Sequence, residues 1–139
     1  MNANDRAAVD GIAVALTAAW NIADGTAFGR QFADDADFVN IYATHGVGRD
    51  AIATAHQAIF DGVYRGSRNR FTVIKVRELS GDVALAHVAA DLQVPQGPMA
   101  GDLSALASVV LVRDGSGWKI AAFHNTRVAA PPGASPAKP

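Results

Sequence analysis

The sequence predicts a single α+β domain in which helices cover one face of a mostly antiparallel sheet. Helical patterns fill the first sixty residues, and four long β-type stretches fill the second half. This separation of helices from strands is typical of α+β folds. An antiparallel sheet needs only one covered face, and the helices can supply that cover.

Three helices and a first strand are predicted in the N-terminal half. In residues 6–22 the apolar side chains recur at steps of three and four, which indicates an amphipathic helix. A short second helix is predicted at 26–33, and a third at 50–60. The acidic run at 34–37 interrupts the second pattern, so the first strand is expected at 38–42.

Four strands separated by Gly, Asp, Pro and Ser turns complete the predicted domain. They are expected at 70–78, 83–94, 103–113 and 118–128. The domain should therefore span residues 1–128. Residues 129–139 are rich in Pro and Ala, which predicts a disordered tail.

The composition argues against several classes of protein. A net charge of −1 with scattered basic residues does not favour nucleic acid as a partner. The chain has no cysteine and no apolar run long enough to span a membrane. Residues 1–11 lack the apolar core of a secretory signal, so a cytoplasmic protein is expected.

No local motif predicts a metal or a cofactor. Residues 46–51 fit G-x-G-x-x-A, but that motif binds a dinucleotide only within a βαβ unit, and antiparallel chemistry follows here. The glycines are better explained by a tight turn between a hairpin and a helix. The 4 histidines show no metal-binding spacing.

His56 is the most informative polar residue. It shares a predicted helix face with Ile52 and Ile59, so its ring should point inward. A core histidine satisfied by one hydrogen-bond partner would explain this position. An acid/base or hydrogen-bonding group at the wall of a pocket would explain it equally well.

Strand alternation divides the last strand into two faces. One face carries Trp118, Ile120, Ala122, His124 and Thr126, and the other carries Lys119, Ala121, Phe123, Asn125 and Arg127. The two charged residues of the second set favour solvent, which places His124 inside and Asn125 outside. A β-bulge would reverse that assignment.

Other candidate residues have two possible roles. His87 is either a pocket residue or a residue near a sheet edge. Asn40, between Phe38 and Tyr42 on one face, either positions a ligand or holds the neighbouring hairpin together. The large aromatic Trp20 suits either the core or the wall of a pocket for a flat ligand.

With these residues in view, the chain resembles the SgcJ/EcaC type of SnoaL-like proteins, within the nuclear transport factor 2-like superfamily. The resemblance runs from about Ala8 to Val128. Its main parts are Trp20, residues 32–40, Gly48-Arg49, Ile52, His56, Ile59-Phe60, Gly62, Tyr64, Gly66-Ser67, Gly117-Trp118 and residues 122–126.

The resemblance implies a cone-shaped fold whose strongly curved sheet encloses a cavity, and a homodimer formed through the sheet. Relatives include polyketide cyclases, a ketosteroid isomerase, dehydratases and non-catalytic domains. We therefore expect a cofactor-independent acid/base enzyme of polyketide or enediyne-type biosynthesis. The alternative is a non-catalytic protein that binds a polyketide or assists a polyketide synthase.

The candidate site follows from both lines of reasoning. His56 or His124 would move a proton, and Asn40 with Tyr64 would hold an oxygen that develops negative charge. The catalytic candidates are thus His56, His124 and Asn40. The candidates for contact with an apolar or polyketide-like small molecule are Trp20, Phe38, Tyr42, Phe60, Tyr64, His87 and Thr126.

Overall fold

Three helices lie in the N-terminal half of the computed structural model, which describes residues 1–133. They are α1 (Ala3–Asn21), α2 (Gly25–Gly29) and α3 (Arg49–Asp61). The side chain of Asn2 caps α1 by accepting a hydrogen bond from the Asp5 backbone N–H at 2.8 Å. The apolar stripe of α1 packs against the sheet, as its periodicity predicts.

Six strands form one sheet in the order β2-β1-β6-β5-β4-β3. Their bounds are β1 (Phe32–Val39), β2 (His45–Val47), β3 (Arg68–Ser80), β4 (Val83–Val94), β5 (Gly101–Asp114) and β6 (Gly117–Arg127). Only β1 and β6 pair in parallel among the described strands. The predicted α+β architecture, with helices on a mostly antiparallel curved sheet, is confirmed.

The first strand differs from its prediction. Helix α2 ends at Gly29, and β1 already begins at Phe32 and includes the acidic run. Phe32 and Ala36 are fully buried, whereas Asp34 and Asp35 face solvent. The acidic run therefore belongs to a half-buried strand. Its register against β6 shifts between Phe32 and Asp37, so burial does not alternate regularly there and the sequence pattern did not indicate a strand.

Strand β6 contains a bulge that changes which side chains face inward. Val110 of β5 pairs with Ala122, but the next residue, Leu111, pairs with Ile120. Ala121 is the extra residue, so the alternation shifts by one position beyond it. Ile120 and Phe123 are consequently both buried, at 1% and 2% exposure.

The described chain ends in exposed residues outside the sheet. Residues 129–133 are exposed and belong to no helix or strand. The rest of the predicted tail, 134–139, lies outside the described residues, and its disorder stays a prediction. No helix within residues 1–133 is long and apolar enough to cross a membrane.

Candidate small-molecule site

A cavity of about 410 Å³ opens between the helices and one end of the sheet. This volume lies within the roughly 300–1,000 Å³ that is usual for small-molecule sites. Most of its wall is apolar. Its aromatic members are Trp20, Phe28, Phe38, Tyr42, Tyr64, Phe71 and Phe123.

His56 lies in this wall, enclosed by aromatic rings. Its imidazole stacks on Phe28 with centroids 4.1 Å apart, and Phe38 meets it edge-on at 4.8 Å. The Nδ1 atom is 2.8 Å from the carbonyl oxygen of Ile52, one turn earlier in α3. Since a carbonyl only accepts, Nδ1 carries the proton and Nε2 of the neutral ring has a free lone pair.

The aromatic enclosure keeps His56 neutral. Burial lowers the pKa of His56 from 6.5 to about 4, and the hydrogen bond to Ile52 opposes this only in part. The cause is the loss of water around the imidazolium ion. At neutral pH the ring can therefore accept a proton or a hydrogen bond at Nε2.

Asn125 contributes the second polar group of the cavity wall. Its Oδ1 is buried and has no hydrogen-bond partner within residues 1–133. A buried polar atom without a partner costs about 1–3 kcal/mol, and such atoms are rare in folded proteins. Asn125 follows Phe123 on the inward face of β6, and Phe123 stacks on Phe38 at 4.9 Å.

Asn40 lies at the cavity, but its side-chain oxygen is engaged elsewhere. Oδ1 accepts hydrogen bonds from the backbone N–H groups of Tyr42 at 2.9 Å and Thr44 at 3.0 Å. Residues 40–44 thus form a turn rather than the predicted extension of the first strand. Of the two roles considered for Asn40, these contacts favour holding the hairpin.

Two tyrosines mark the mouth of the cavity. Tyr42 is 65% exposed, and its hydroxyl lies 3.5 Å from the sulfur of Met99 in the β4–β5 loop. Burial, followed by the neighbouring Tyr42, raises the pKa of Tyr64, and Arg127 opposes that shift. The phenol of Tyr64 is therefore a hydrogen-bond donor at neutral pH.

The chain matches the SnoaL-like domain family over residues 9–130, which is most of its length. It is a SnoaL-like domain. A search among curated proteins gives no match.

Solved structures confirm the predicted NTF2-like fold. A domain with a cystatin-like fold from Nostoc punctiforme is 30% identical, with a TM-score of 0.83 over 94% of this chain and 81% of that one. A ketosteroid isomerase-like protein from Erwinia carotovora atroseptica is 18% identical (TM-score 0.76; 94% and 100%). An NTF2-like protein from Novosphingobium aromaticivorans is 17% identical (TM-score 0.77; 93% and 85%).

Several predicted site residues of this SnoaL-like domain lie away from the cavity. His124 and Thr126 are exposed on the outer face of β6, because the bulge reverses the predicted alternation. The inward orientation predicted for His124 is therefore wrong. His87 pairs with Lys75 and Ser108 on that same outer face, opposite the buried side of β4.

Other predicted contacts lie in or behind the wall. Trp20, Phe38, Tyr42 and Tyr64 line the cavity. Phe60 is 3% exposed and packs edge-on against Trp20 with centroids 4.9 Å apart, so it supports the wall from behind.

Sequence reasoning missed Phe28, Asn125 and Arg127, all of which line the cavity. A signal for the last two was present. Ile120 and Phe123 are large apolar residues three positions apart, so a regular strand would put them on opposite faces. Burying both requires a bulge between them, and the bulge turns Asn125 and Arg127 inward.

The arrangement of the SnoaL-like domain does not match a dinucleotide site at residues 46–51. Strand β2 pairs antiparallel with β1, and Gly48 adopts φ +98° where α3 begins. This left-handed conformation explains a glycine at the turn. Within residues 1–133, no three His, Asp or Glu side chains come together as a metal site.

Proposed function

We propose that this SnoaL-like domain is a cofactor-independent acid/base enzyme for an apolar, carbonyl-bearing molecule. The observation that carries the proposal is a pair of polar groups in an aromatic cavity: the neutral imidazole of His56, whose Nδ1 is bonded to Ile52 so that Nε2 can accept, and the buried Oδ1 of Asn125, which has no partner within residues 1–133. The sequence-based prediction gave proton transfer to His56 or His124 and gave the contact with the oxygen to Asn40 and Tyr64. Here His56 alone transfers the proton, and Asn125 replaces Asn40 as the group that binds the oxygen.

The proposed reaction is proton transfer next to a carbonyl group. Nε2 of His56 removes the proton on the carbon adjacent to the carbonyl, and the electron pair moves onto the carbonyl oxygen. The NH₂ of Asn125 donates to that oxygen, since rotation of the carboxamide exchanges its donor and acceptor ends. His56 then returns the proton to another carbon or to oxygen, as an isomerase, cyclase or dehydratase requires.

The low basicity of His56 is compatible with this role. In ketosteroid isomerase, a carboxylate base with a pKa of about 4.6 suffices because hydrogen bonds stabilise the enolate. The pKa of His56, lowered to about 4 by burial, lies near that value. No Asp or Glu lines the cavity within residues 1–133, so His56 is the base available there.

The test needs a probe ketone rather than the natural substrate. Incubating 2-tetralone with the protein in D₂O and following deuterium uptake next to the carbonyl by NMR reports proton abstraction directly. His56→Gln should lower the protein-dependent rate about 100-fold, which is the usual contribution of a general base. His124→Gln, on the exposed outer face, is the matched control and should leave the rate unchanged.

Equal rates for the wild type and His56→Gln would contradict the enzyme proposal. If 2-tetralone still bound, the non-catalytic alternative would replace it. That alternative is supported by the mostly apolar wall. Among the described lining residues there is no carboxylate, and His56 is the one imidazole. Its expected signature is a ligand that is bound and released unchanged.

The resemblance to the SgcJ/EcaC type supports a place in polyketide or enediyne-type biosynthesis, with a polyketide synthase as the proposed partner protein. The aromatic cavity suits the flat or polyene-like molecules of such chemistry. The fold is also shared with ketosteroid isomerase-like and dehydratase-like proteins. Turnover of a β-polyketone by the wild type, and loss of turnover in His56→Gln, would test this substrate class.

The proposal includes a homodimer formed through the outer face of the sheet. Leu106 is 43% exposed there, on the same face of the sheet as the half-buried Val110 and Ala122. Light scattering should give twice the mass of the chain for the wild type and the monomer mass for Leu106→Lys. A monomeric wild type would exclude the homodimer.

A further inference from the structure

Arg127 is the one charged side chain in the cavity wall among the described residues. The bulge in β6 turns it toward the mouth, two positions beyond Asn125 on the inward face. The deeper polar group, His56, is neutral, so the cavity carries a single positive charge close to solvent.

Arg127 has no carboxylate partner among the described residues, which is true of several other arginines, but of all the described arginines only Arg127 lines the cavity. Arg49 contacts Asp34 at 2.6 Å, and Arg113 contacts Asp5 at 2.8 Å. Within residues 1–133, Arg127 forms no ion pair. Its guanidinium group therefore offers five N–H donors without an anionic acceptor.

Two phenols add donors beside this guanidinium group. Tyr42 and Tyr64 line the same cavity as Arg127. The hydroxyl of Tyr42 has only the sulfur of Met99 as a partner, at 3.5 Å, and thioether sulfur is a weak acceptor. This part of the cavity wall thus combines one positive charge with two hydroxyl groups.

From this arrangement we infer that the ligand is an apolar acid whose body fills the aromatic cavity and whose carboxylate lies at the mouth on Arg127, Tyr42 and Tyr64. The inference rests on the proposed function for the cavity itself. A planar carboxylate matches the planar donor fork of an arginine, which can bind it through two hydrogen bonds.

A carboxylate is less costly to place at the mouth of the cavity than deep in its aromatic wall. A carboxylate deep in the aromatic wall would lose its water without a cationic partner, because His56 is neutral there. At the mouth the carboxylate stays partly hydrated while the apolar body displaces water from the cavity. The carbonyl that reacts near His56 is then a second functional group at the other end of the same molecule.

The test compares an acid with its neutral ester. The probes are 1-pyrenebutyric acid and its methyl ester, whose pyrene fluorescence reports binding to an apolar site. The wild type should bind the acid about tenfold more tightly than the ester, as expected for a partly exposed, charge-assisted contact. That preference should shrink at high salt, since ions screen a charge pair near solvent.

Arg127→Gln should remove the preference for the acid and leave ester affinity unchanged. Arg77→Gln removes the same charge from an exposed position of β3 outside the cavity, so it should behave as the wild type. Arg127→Lys keeps the charge without the planar fork and should retain part of the preference.

The outcomes separate this inference from the proposed function. Equal affinities for acid and ester in the wild type, or a preference that survives in Arg127→Gln, would overturn the carboxylate site while leaving the cavity intact as a binding site. Failure of both probes to bind would overturn the cavity as a ligand site and the inference with it. Loss of the preference in Arg77→Gln as well as in Arg127→Gln would show a general charge effect and also overturn it.

Discussion

The space under the sheet has a closed end and an open end, which differ in the kind of side chain that fills them. At the closed end, aliphatic residues such as Leu16 and Leu111 leave a void of only about 10 Å³. At the open end, aromatic rings around Trp20 and His56 surround a cavity of about 410 Å³. Helix α1 contributes to both ends, with Leu16 at one and Trp20 at the other.

The bulge in β6 lies between these two ends. Before it, Ile120 packs into the closed end, and after it Phe123, Asn125 and Arg127 turn toward the open end. The aliphatic side chains of the closed end interdigitate at the high density usual for protein interiors, whereas the aromatic side chains of the open end surround a cavity. The comparison teaches that stability is concentrated at the closed end and chemistry at the open end.

Truncation should give the largest difference between the two ends. Leu16→Ala removes a side chain that is 1% exposed, and it should lower the free energy of unfolding by about 3–4 kcal/mol through lost burial and the cavity left behind. Ile59→Ala, in the wall of the open cavity, should cost only about 1 kcal/mol, because that wall already faces a void. Urea denaturation measures both, and equal costs would contradict the distinction.

The second largest effect should be a loss of folding stability in acid, caused by His56 at the open end. The ordinary pKa of His56 is 6.5 and its folded pKa is about 4, so between these values the unfolded chain binds a proton that the folded protein excludes. Stability should therefore be complete above pH 6.5 and fall by about 3 kcal/mol as the pH is lowered to 4.

His56→Gln should flatten this part of the pH profile, measured by urea denaturation at half-unit steps. His124→Gln is the control and should keep the wild-type slope, since His124 is exposed. A wild-type profile without a slope between pH 6.5 and 4 would show that His56 titrates normally and is not enclosed.

The residues compared in these first two predictions lie on helices, whose inward faces the sequence predicts better than it predicts the inward faces of strands. Helix periodicity places Leu16, Trp20 and His56 on inward faces, because a 3.6-residue repeat depends on local sequence alone. The four long strands were predicted from alternation and turn residues for the same reason. The prediction of His124 as a pocket residue failed because the register of β6 depends on its pairing with the neighbouring strand. The alternation within β6 gives no information on that pairing.

Two asparagines should differ in a way that alternation cannot predict. Asn125→Leu replaces a buried group without a partner, so it should raise the free energy of unfolding by about 1 kcal/mol while slowing exchange of 2-tetralone. Asn40→Leu, the matched control, removes two hydrogen bonds to backbone N–H groups and should cost about 1–2 kcal/mol. Thermal unfolding compares the two variants, and a destabilised Asn125→Leu would indicate that this amide is satisfied in the folded protein.

The smallest effect on folding stability should come from the titration of Asp5 at low pH. Asp5 accepts hydrogen bonds from Trp118 Nε1 at 3.1 Å and from Arg113 at 2.8 Å. The bond from Trp118, followed by the charge of Arg113, lowers the pKa of Asp5 below its ordinary 3.8. Its contribution is therefore present above pH 3.8 and lost as the pH falls through the lowered value.

Asp5→Asn should remove only this most acidic part of the stability profile and leave the slope between pH 6.5 and 4 unchanged. Denaturation of the variant and the wild type below pH 4 measures the difference. A changed slope between pH 6.5 and 4 in Asp5→Asn would mean that the titrations of Asp5 and His56 are coupled.

The sequence also does not reveal why Arg127 belongs to the site. Its charge favours solvent, and the prediction accordingly placed it outside with Lys119. Both residues are near solvent, yet the bulge gives Arg127 a position at the mouth, whereas Lys119 donates to the backbone carbonyl of Arg30 at 3.1 Å. The different positions of Arg127 and Lys119 become clear only from the pairing of β6 with β5 and β1.

The most direct test of the central claim is an NMR titration of the labelled protein with 2-tetralone. Binding at the open end should shift the imidazole signals of His56 and the side-chain NH₂ signals of Asn125, and leave the methyl signals of Leu16 and Leu111 unchanged. Shifts confined to the closed-end methyls, or no shifts at saturating ketone, would contradict the assignment of ligand binding to the aromatic end.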